Sequence, residues 1–394
     1  VNILVASEYA GFLGGVEQNI AYTARALRQR GHHLALAYQK TTSQRSQEFL
    51  QLFDEHQQVG QNLSTADWKR VPQLVYLHRW PSVEPWLQVC RSSGWPLLRM
   101  VHDHDLTCPR RHKYFAWNSR ACSLPAGWHC WLDLAFLQSG PRLRPLAPFF
   151  RELQLHHQVD RILVASQSML AELLSNGLAS SKLRLIPPCV PGVDQTPGEP
   201  SAELDSPELL YVGQLIKGKG VDLLIRALAE VCLKRPQTRL RLVGQGNAQA
   251  GLEKLVRRLG LRNQVEFAGF LSPAKIQSAY AGCQFLVVPS RWPEPFGMIG
   301  LEAAHHAKAV VAFAVGGIPD WLCHAETGLL VADQDVSGLF RAILHLLENP
   351  QWCDQLGQQA RLRMQREFSF ERYLERLEQV FQDLLLESAK GRRL

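Results

Sequence analysis

The sequence predicts an α/β protein made of two doubly wound domains, and three observations carry that prediction. Short apolar runs alternate with amphipathic stretches along the whole chain, as the strands of a parallel sheet alternate with the helices that cover it. The 394 residues exceed what one ordinary core holds. Midway, "VPGVDQTPGEPSAELDSP" over residues 190–207 breaks the pattern with proline, glycine and acid, the composition of a linker.

In the first half "NILVA", "HLALAY", "LVYLH", "LLRMVH" and "RILVAS" read as strands. Between the first two, "GGVEQNIAYTARALRQRGH" places Val16, Ile20, Thr23 and Leu27 on one helical face, and Gly31 stops that helix. The second half restarts with "ELLYVG", "RLRLVG", "VEF", "QFLVVP" and "AVVAF". Its first helix, "VDLLIRALAEVCLK", buries Leu223, Leu224, Ala227, Leu228 and Val231. The expected domains are 1–190 and 208–366. A linker over 191–207 joins them, and an amphipathic helix over 367–394 is placed to pack back on the first. Ligands of such sheets bind beyond the carboxyl ends of the strands.

Apolar residues at 46% and charged residues at 20% are ordinary for a globular protein. No apolar run reaches the ~18 residues that span a bilayer. The opening "VNILVAS" reads as a first strand rather than a leader peptide. A cytoplasmic setting is therefore expected, with room for peripheral contact at the inner membrane face. The 43 basic and 36 acidic residues leave a charge of +7, which suits a polyanionic ligand or an anionic membrane. No Lys/Arg-rich block with interleaved aromatics marks a nucleic-acid track. Nine dispersed cysteines, an odd number, argue for mostly reduced thiols.

"SRWPEPFGMIGLE" sets Glu294 in a strand-to-helix loop and Glu302 inside the helix that follows. A carboxylate only accepts hydrogen bonds, and it can bind two adjacent hydroxyls at once. Phe296, Gly297 and Met298 begin the helix, where orphan amides can meet sugar or phosphate oxygens. Taken alone, two acids near a helix start also read as capping groups. In "GQLIKGKGVD", Lys219 between Gly218 and Gly220 suits a phosphate, since glycine lets amides come close; a solvated basic turn has the same composition. "GGVE" at Gly14 and Gly15 opens a helix after strand one, and a mere tight turn explains it equally well.

"YVGQLIKGKGVDLLI", "LRLVGQGN", "VEFAGFL", "PSRWPEPFGMIGLEA" and "VGGIPDWLCHAETGLLV" resemble, in order and spacing, the retaining family 4 glycosyltransferases (glycosyl transferases group 1) of the GT-B fold. The likeness spans essentially the whole chain and is strongest from Leu209 to Val331. It implies two Rossmann-like domains facing an interdomain cleft, with 1–190 binding the acceptor and 208–366 the donor. It also implies metal-independent transfer of a hexose from a nucleotide diphosphate sugar, UDP- or GDP-linked, to an acceptor hydroxyl in polysaccharide, glycolipid or glycoconjugate synthesis. No cofactor is expected. The acceptor would be a carbohydrate, a lipid-linked molecule or another small molecule. Glu294 would take the donor sugar's hydroxyls and Glu302 the ribose; Lys219 would neutralise the leaving diphosphate. Gly15, with Gly14, would approach that diphosphate. Gly244, Gln245, Gly246, Phe270 and Leu271 would flank the base. His102, in "RMVHDHDLTCPRR", would face sugar and phosphate. Beside it, Asp103 and Asp105 superficially resemble a metal-binding acid pair, and His104 crowds the same spot.

The chain departs from that pattern in places. Gln214 stands where the family usually has arginine, which removes one charge from the leaving-group site; Lys217 is a plausible substitute. "PPCV" over 187–190, Ala307 and Ala309 alter local turns. Cys108, His112, Cys122 and Cys130 fall in one insertion-like loop and form a candidate structural zinc set. Their spacing is not that of a standard finger, so free thiols or one disulfide fit better. "GWHCWLDLAFLQSGPRLRPLAPFF" mixes Trp128, Trp131 and Phe136 with Arg142 and Arg144; it suits either ordinary core packing, the favoured reading, or a lipid or aglycone surface. The rival functions are a non-enzymatic partner subunit, or a phosphorylase or epimerase using the same site.

Overall fold

The computed structural model describes residues 1–42, 45–60, 68–115, 120–133, 145–189 and 208–391. Seven strands form the first sheet: β1 Asn2–Ala10, β2 His33–Thr41, β3 Glu55–Gln58, β4 Leu74–Leu77, β5 Leu97–Val101, β6 Arg161–Val164 and β7 Leu183–Leu185. Their spatial order is β3-β2-β1-β4-β5-β6-β7, and every neighbouring pair is parallel. The second sheet holds β8 Glu208–Val212, β9 Arg239–Val243, β10 Val265–Gly269, β11 Phe285–Val288, β12 Val310–Phe313 and β13 Gly328–Val331. It runs β10-β9-β8-β11-β12-β13, again all parallel.

Both sheets are doubly wound, as the alternation of runs predicts. Each reverses its strand order once, between β1 and β4 in the first sheet and between β8 and β11 in the second. At such a reversal the connecting loops part and leave a crevice. The strands with continuous β-branched or aliphatic runs are buried along their length: β4, β5, β6, β11 and β12 expose almost nothing, as strands covered on both faces must. β3, with the sequence EHQQ, was not expected as a strand. It is an edge strand whose residues alternate between half-buried and exposed, so no apolar run marks it. β7 and β13 are edge strands too and are as short.

The helices bury the faces their periodicity dictates. Gly15–Gln29 buries Ile20, Thr23 and Leu27 with Ala21, Ala24 and Ala26, while Val16 is only half-buried. Gly31, at φ +84°, turns the chain out of it. Val221–Lys234 buries Leu223, Leu224, Ala227, Leu228 and Val231 as expected, and Val221 and Ile225 as well.

The chain divides into two units that do not follow its order. The first takes residues up to Arg111, then Leu124–Pro187, then everything from Glu371; the second takes His112–Ser123 and Pro188–Phe370. The helix Phe370–Gly391 thus belongs mostly to the first unit. There Tyr373 Oη lies 3.2 Å from Thr23 Oγ1, and the Phe381 ring meets Tyr76 edge-on at 5.7 Å. Arg30 binds both Glu371 and Glu378, His32 reaches Glu378 at 2.9 Å, and Arg161 grips Glu387 at 2.6 Å. Phe381 is fully buried. Phe381→Ala is expected to destabilise the first unit by about 3–5 kcal/mol, read as a lower midpoint for that unit in urea titration followed by circular dichroism.

Candidate functional site

The reversal between β8 and β11 collects the second unit's expected residues. After β8 the chain passes Gly213 and Gln214 and makes a tight turn over Lys217–Lys219. After β11 it runs from Pro289 to Gly297, and then the helix Met298–His305 begins. The two loops are fastened to each other. Arg291 and Trp292 both donate their backbone N–H to the Gly218 carbonyl at 2.9 Å. The Arg291 guanidinium binds Asp222 through both nitrogens, at 2.6 and 2.7 Å, and also the Lys217 carbonyl at 3.1 Å. Such a bidentate fork fixes orientation as well as distance. Gly220, at φ +67°, lies so close to the other loop that a Cβ there would sit 1.8 Å from the Pro289 carbonyl oxygen.

Within that frame Lys219 and Glu294 meet. The ammonium donates to Glu294 Oε1 at 2.6 Å, and Ser290 Oγ donates to the same oxygen at 2.5 Å. One ammonium N–H is spent there and two remain; on the carboxylate, Oε2 keeps its acceptor capacity. Glu294 is buried, Lys219 is a fifth exposed, and the Trp292 ring lies 5.5 Å from the ammonium. A second carboxylate sits one turn into the helix: Glu302 Oε2 accepts from the Tyr280 hydroxyl at 2.7 Å. Burial pushes the Glu302 pKa up, and the Tyr280 bond opposes that rise. Gly297, at φ +94°, caps the helix without a side-chain bond, and the Phe296 carbonyl accepts from Trp321 Nε1 at 2.6 Å. The first amides of the helix, from Met298 on, thus have no side-chain cap. Ser290, Tyr280, Trp292 and the Arg291–Asp222 pair were not singled out from the sequence, although Ser290, Arg291 and Trp292 lie in the same quoted stretch.

The remaining residues of this unit frame the same strand ends. Gln214 is exposed, and its carbonyl accepts from the Tyr211 hydroxyl at 2.8 Å. Lys217 is exposed as well. Gly244, at φ +132°, packs so tightly that a Cβ would stand 1.9 Å from the Gly213 carbonyl. The Gln245 carbonyl accepts from Leu215 at 2.9 Å, which ties the loops after β8 and β9 together. Phe270 is 80% exposed and Leu271 half-buried, just past β10.

The first unit carries its own cluster. His102 follows β5, and its Nε2 lies 2.9 Å from Nδ1 of His78. Burial, helped by the Arg99 charge, lowers the His102 pKa to about 3, so the ring is neutral. Both members of the acid pair have partners. Asp103 Oδ1 accepts from the Asp105 amide at 2.8 Å, and Asp105 pairs with Arg99 at 3.2 Å. His104 turns inward to Glu172 at 2.9 Å and is buried. Gly14 caps the helix Gly15–Gln29, and its N–H is already given to Glu17 Oε2 at 2.9 Å. Gly15 is exposed, and a Cβ there would meet nothing within 4 Å.

The zinc reading of Cys108, His112, Cys122 and Cys130, the less favoured one, finds no support: among the described residues no three His, Cys, Asp or Glu side chains are grouped as ligands, and the three cysteines are free thiols. The His112 ring stacks on Tyr114 at 4.1 Å, whereas Cys130 packs with Leu146 and Phe150. Nor are the loop tryptophans core residues; Trp128 is 74% exposed and Trp131 48%, because the four-residue helix His129–Leu132 turns only Cys130 inward. Phe136, Arg142, Arg144 and the linker lie outside the described residues.

Two family models match the chain: "Glycosyltransferase Family 4" over residues 13–191 and "Glycosyl transferases group 1" over residues 194–363. The chain belongs to the family 4, group 1 glycosyltransferases. This glycosyltransferase is 27% identical to glycogen synthase of Mycobacterium tuberculosis over 316 residues, which cover 79% of the chain and 68% of the relative. It is 32% identical to the D-inositol 3-phosphate glycosyltransferase of Corynebacterium aurimucosum over 205 residues, half of this chain and 48% of that enzyme. Among solved structures it superimposes on sucrose-phosphate synthase from Thermosynechococcus elongatus with a TM-score of 0.74 at 22% identity, covering 98% of this chain and 99% of that one. It also superimposes on Anabaena HepE in complex with UDP, with a TM-score of 0.72 at 19% identity, covering 97% and 99%. The two parallel sheets of this glycosyltransferase are those of the GT-B fold. Gly220→Ala is expected to cost roughly 2–3 kcal/mol, from overpacking against Pro289 and the positive φ together, and a calorimetric melt checks it.

Proposed function

We propose that this glycosyltransferase moves a hexose from a nucleotide diphosphate sugar to an acceptor hydroxyl, with retention at the anomeric carbon and without a metal ion. The carrying observation is the contact of Lys219 with Glu294 at the strand-order reversal, beside a helix start that no side chain caps. An ammonium with two N–H groups in hand, beside helix amides that no side chain caps, is a charge-stabilising field for a departing diphosphate. Exposed Lys217 adds to that field where Gln214 brings no charge. Glu294 Oε2 and the half-buried Glu302 are acceptors for sugar and ribose hydroxyls. UDP is the first donor nucleotide to test, since the HepE structures carry UDP and UDP-glucose.

In this reading the bond from the anomeric carbon to the β-phosphate oxygen breaks as the acceptor oxygen bonds that carbon on the same face. The acceptor's proton passes to the leaving phosphate oxygen, so no protein nucleophile is needed. Lys219 holds the charge that accumulates, Glu294 fixes the sugar, and the neutral His102 ring offers a hydrogen bond. The acid pair Asp103 and Asp105 is engaged with backbone and Arg99, which supports charge stabilisation by the lysine rather than by a metal. The product belongs to polysaccharide, glycolipid or glycoconjugate synthesis. A cytoplasmic setting accords with the buried thiols of Cys90, Cys189, Cys283 and Cys353. Exposed Trp128 and Leu132 accord with contact at a membrane face.

The test is turnover of UDP- and GDP-sugars with a panel of acceptors, reading the product's anomeric configuration by NMR. An inverted product refutes the mechanism. A requirement for free phosphate points to a phosphorylase, a rearranged sugar without acceptor to an epimerase, and absence of nucleotide binding in calorimetry to a partner subunit. Lys219→Ala is expected to lower kcat by ~100-fold or more; a loss under threefold removes the role assigned to it. Because the folded pKa of Glu302 is raised, its carboxylate is lost at a higher pH than that of an ordinary glutamate. UDP affinity should therefore weaken as pH falls from 7.5 towards 5, and calorimetry of Glu302→Gln should show weaker binding without that fall.

A further inference from the structure

The helix Pro273–Gly282 precedes β11, and the helix Met298–His305 follows the loop beyond it. One side chain from each joins the two: the Tyr280 hydroxyl donates to Glu302 Oε2 at 2.7 Å. Tyr280 is fully buried, and its ring lies flat against His306, 9° from parallel with centroids 5.7 Å apart. His306 is tethered in turn, with Nε2 at 2.6 Å from Gln277 Oε1. A phenol hydroxyl lies on the axis about which its ring turns, so burial of the ring fixes where the donor stands. The direction of the bond is fixed as well. An ionised carboxylate only accepts, and burial together with the Glu302 charge pushes the Tyr280 pKa well above the usual phenol range, so the hydroxyl keeps its proton.

The two oxygens of Glu302 are placed differently. Oε2 is held by Tyr280. Oε1 has no hydrogen-bond partner among the described residues, yet it is not one of the buried oxygens left without a partner, so it reaches the surface. A glutamate side chain at a surface otherwise moves among several rotamers, and ordering it opposes binding. We infer that Tyr280 is a positioning residue that sets selectivity for ribose over deoxyribose: by holding Glu302 Oε2, it presents Oε1 in one orientation to the ribose hydroxyls of the donor nucleotide. Being fully buried, Tyr280 acts through Glu302 rather than by touching the nucleotide. Both residues belong to the second unit. The inference rests on the reading of Glu302 as the residue that takes the ribose, and the experiment separates the two.

Titration calorimetry compares UDP with 2′,3′-dideoxy-UDP, and GDP with its dideoxy analogue, on the whole chain as wild type, Tyr280→Phe, Glu302→Ala and the double variant Tyr280→Phe/Glu302→Ala. Wild type should bind the ribonucleotide roughly 10- to 100-fold more tightly than its analogue. Phenylalanine keeps the ring against His306 and removes only the hydroxyl. Tyr280→Phe should therefore weaken the ribonucleotide roughly 3- to 10-fold and the analogue by less than about twofold. An equal loss for both ligands, which a merely structural role would give, overturns the inference. In turnover, KM for the nucleotide sugar should rise by a similar factor while kcat stays within about twofold. The double variant should bind the ribonucleotide no more weakly than Glu302→Ala, as expected for two residues acting through one. If Glu302→Ala keeps the full preference for ribose, or no nucleotide binds, the reading of Glu302 fails and takes the inference with it. If Glu302→Ala levels the two ligands while Tyr280→Phe keeps the preference, the role of Tyr280 fails by itself. A crystal structure of the wild-type nucleotide complex decides even if no variant folds: Oε1 on the ribose with Tyr280 still on Oε2 supports the inference, and ribose hydroxyls on Oε2 with Tyr280 displaced overturn it.

Discussion

Everything at the second unit's site depends on how closely the turn after β8 approaches the loop after β11. Two backbone N–H groups converge on the Gly218 carbonyl, a guanidinium fork joins Arg291 to Asp222, and Gly220 leaves no room for a side chain against Pro289. These contacts are made by main chain or by a bidentate ion pair, so they set positions to a few tenths of an ångström. Catalytic groups need that tolerance, since a misplacement of about 1 Å costs a large part of their effect. Lys219 is held by the turn and Glu294 by the loop; their 2.6 Å contact is a consequence of the fastening.

That contact also explains how a buried carboxylate is tolerated. An uncompensated charge in a dry site costs several kcal/mol, and Glu294 has the lysine ammonium and the Ser290 hydroxyl on a single oxygen. The pair is neutral as a unit while each member keeps hydrogen-bonding capacity for a ligand. Glu302 shows the other solution. It has a neutral phenol as partner and accepts a raised pKa instead. Two glutamates in one motif are thus given different electrostatic settings, one charge-paired and one merely hydrogen-bonded.

What was legible in the sequence follows the range of the interactions. Strands buried on both faces announce themselves by unbroken runs such as LVYL and FLVV, and helix faces by their spacing; edge strands such as EHQQ carry no such pattern and were missed. Glu294, Glu302 and Lys219 could be named because each lies in a motif whose spacing is itself the signal, and the fold brings Lys219 to Glu294. Their partners were not. Tyr280 reaches Glu302 across 22 positions, and His104 is drawn inward by Glu172, 68 positions on; only the folded chain reveals such pairs. Spacing within a loop likewise says nothing of where each side chain turns. His78 follows one strand and its partner His102 the neighbouring one, a pairing set by the sheet rather than by sequence distance.

The helix Phe370–Gly391 supplies Tyr373 and Phe381 to the first unit, although the whole second unit precedes it in the chain. During synthesis, therefore, the first seven strands emerge well before the helix that packs on Tyr76. Vectorial folding cannot complete this first unit before the second has been made, and its apolar face waits for residues 370–391 during some two hundred steps of elongation, roughly 10–40 s at ordinary rates.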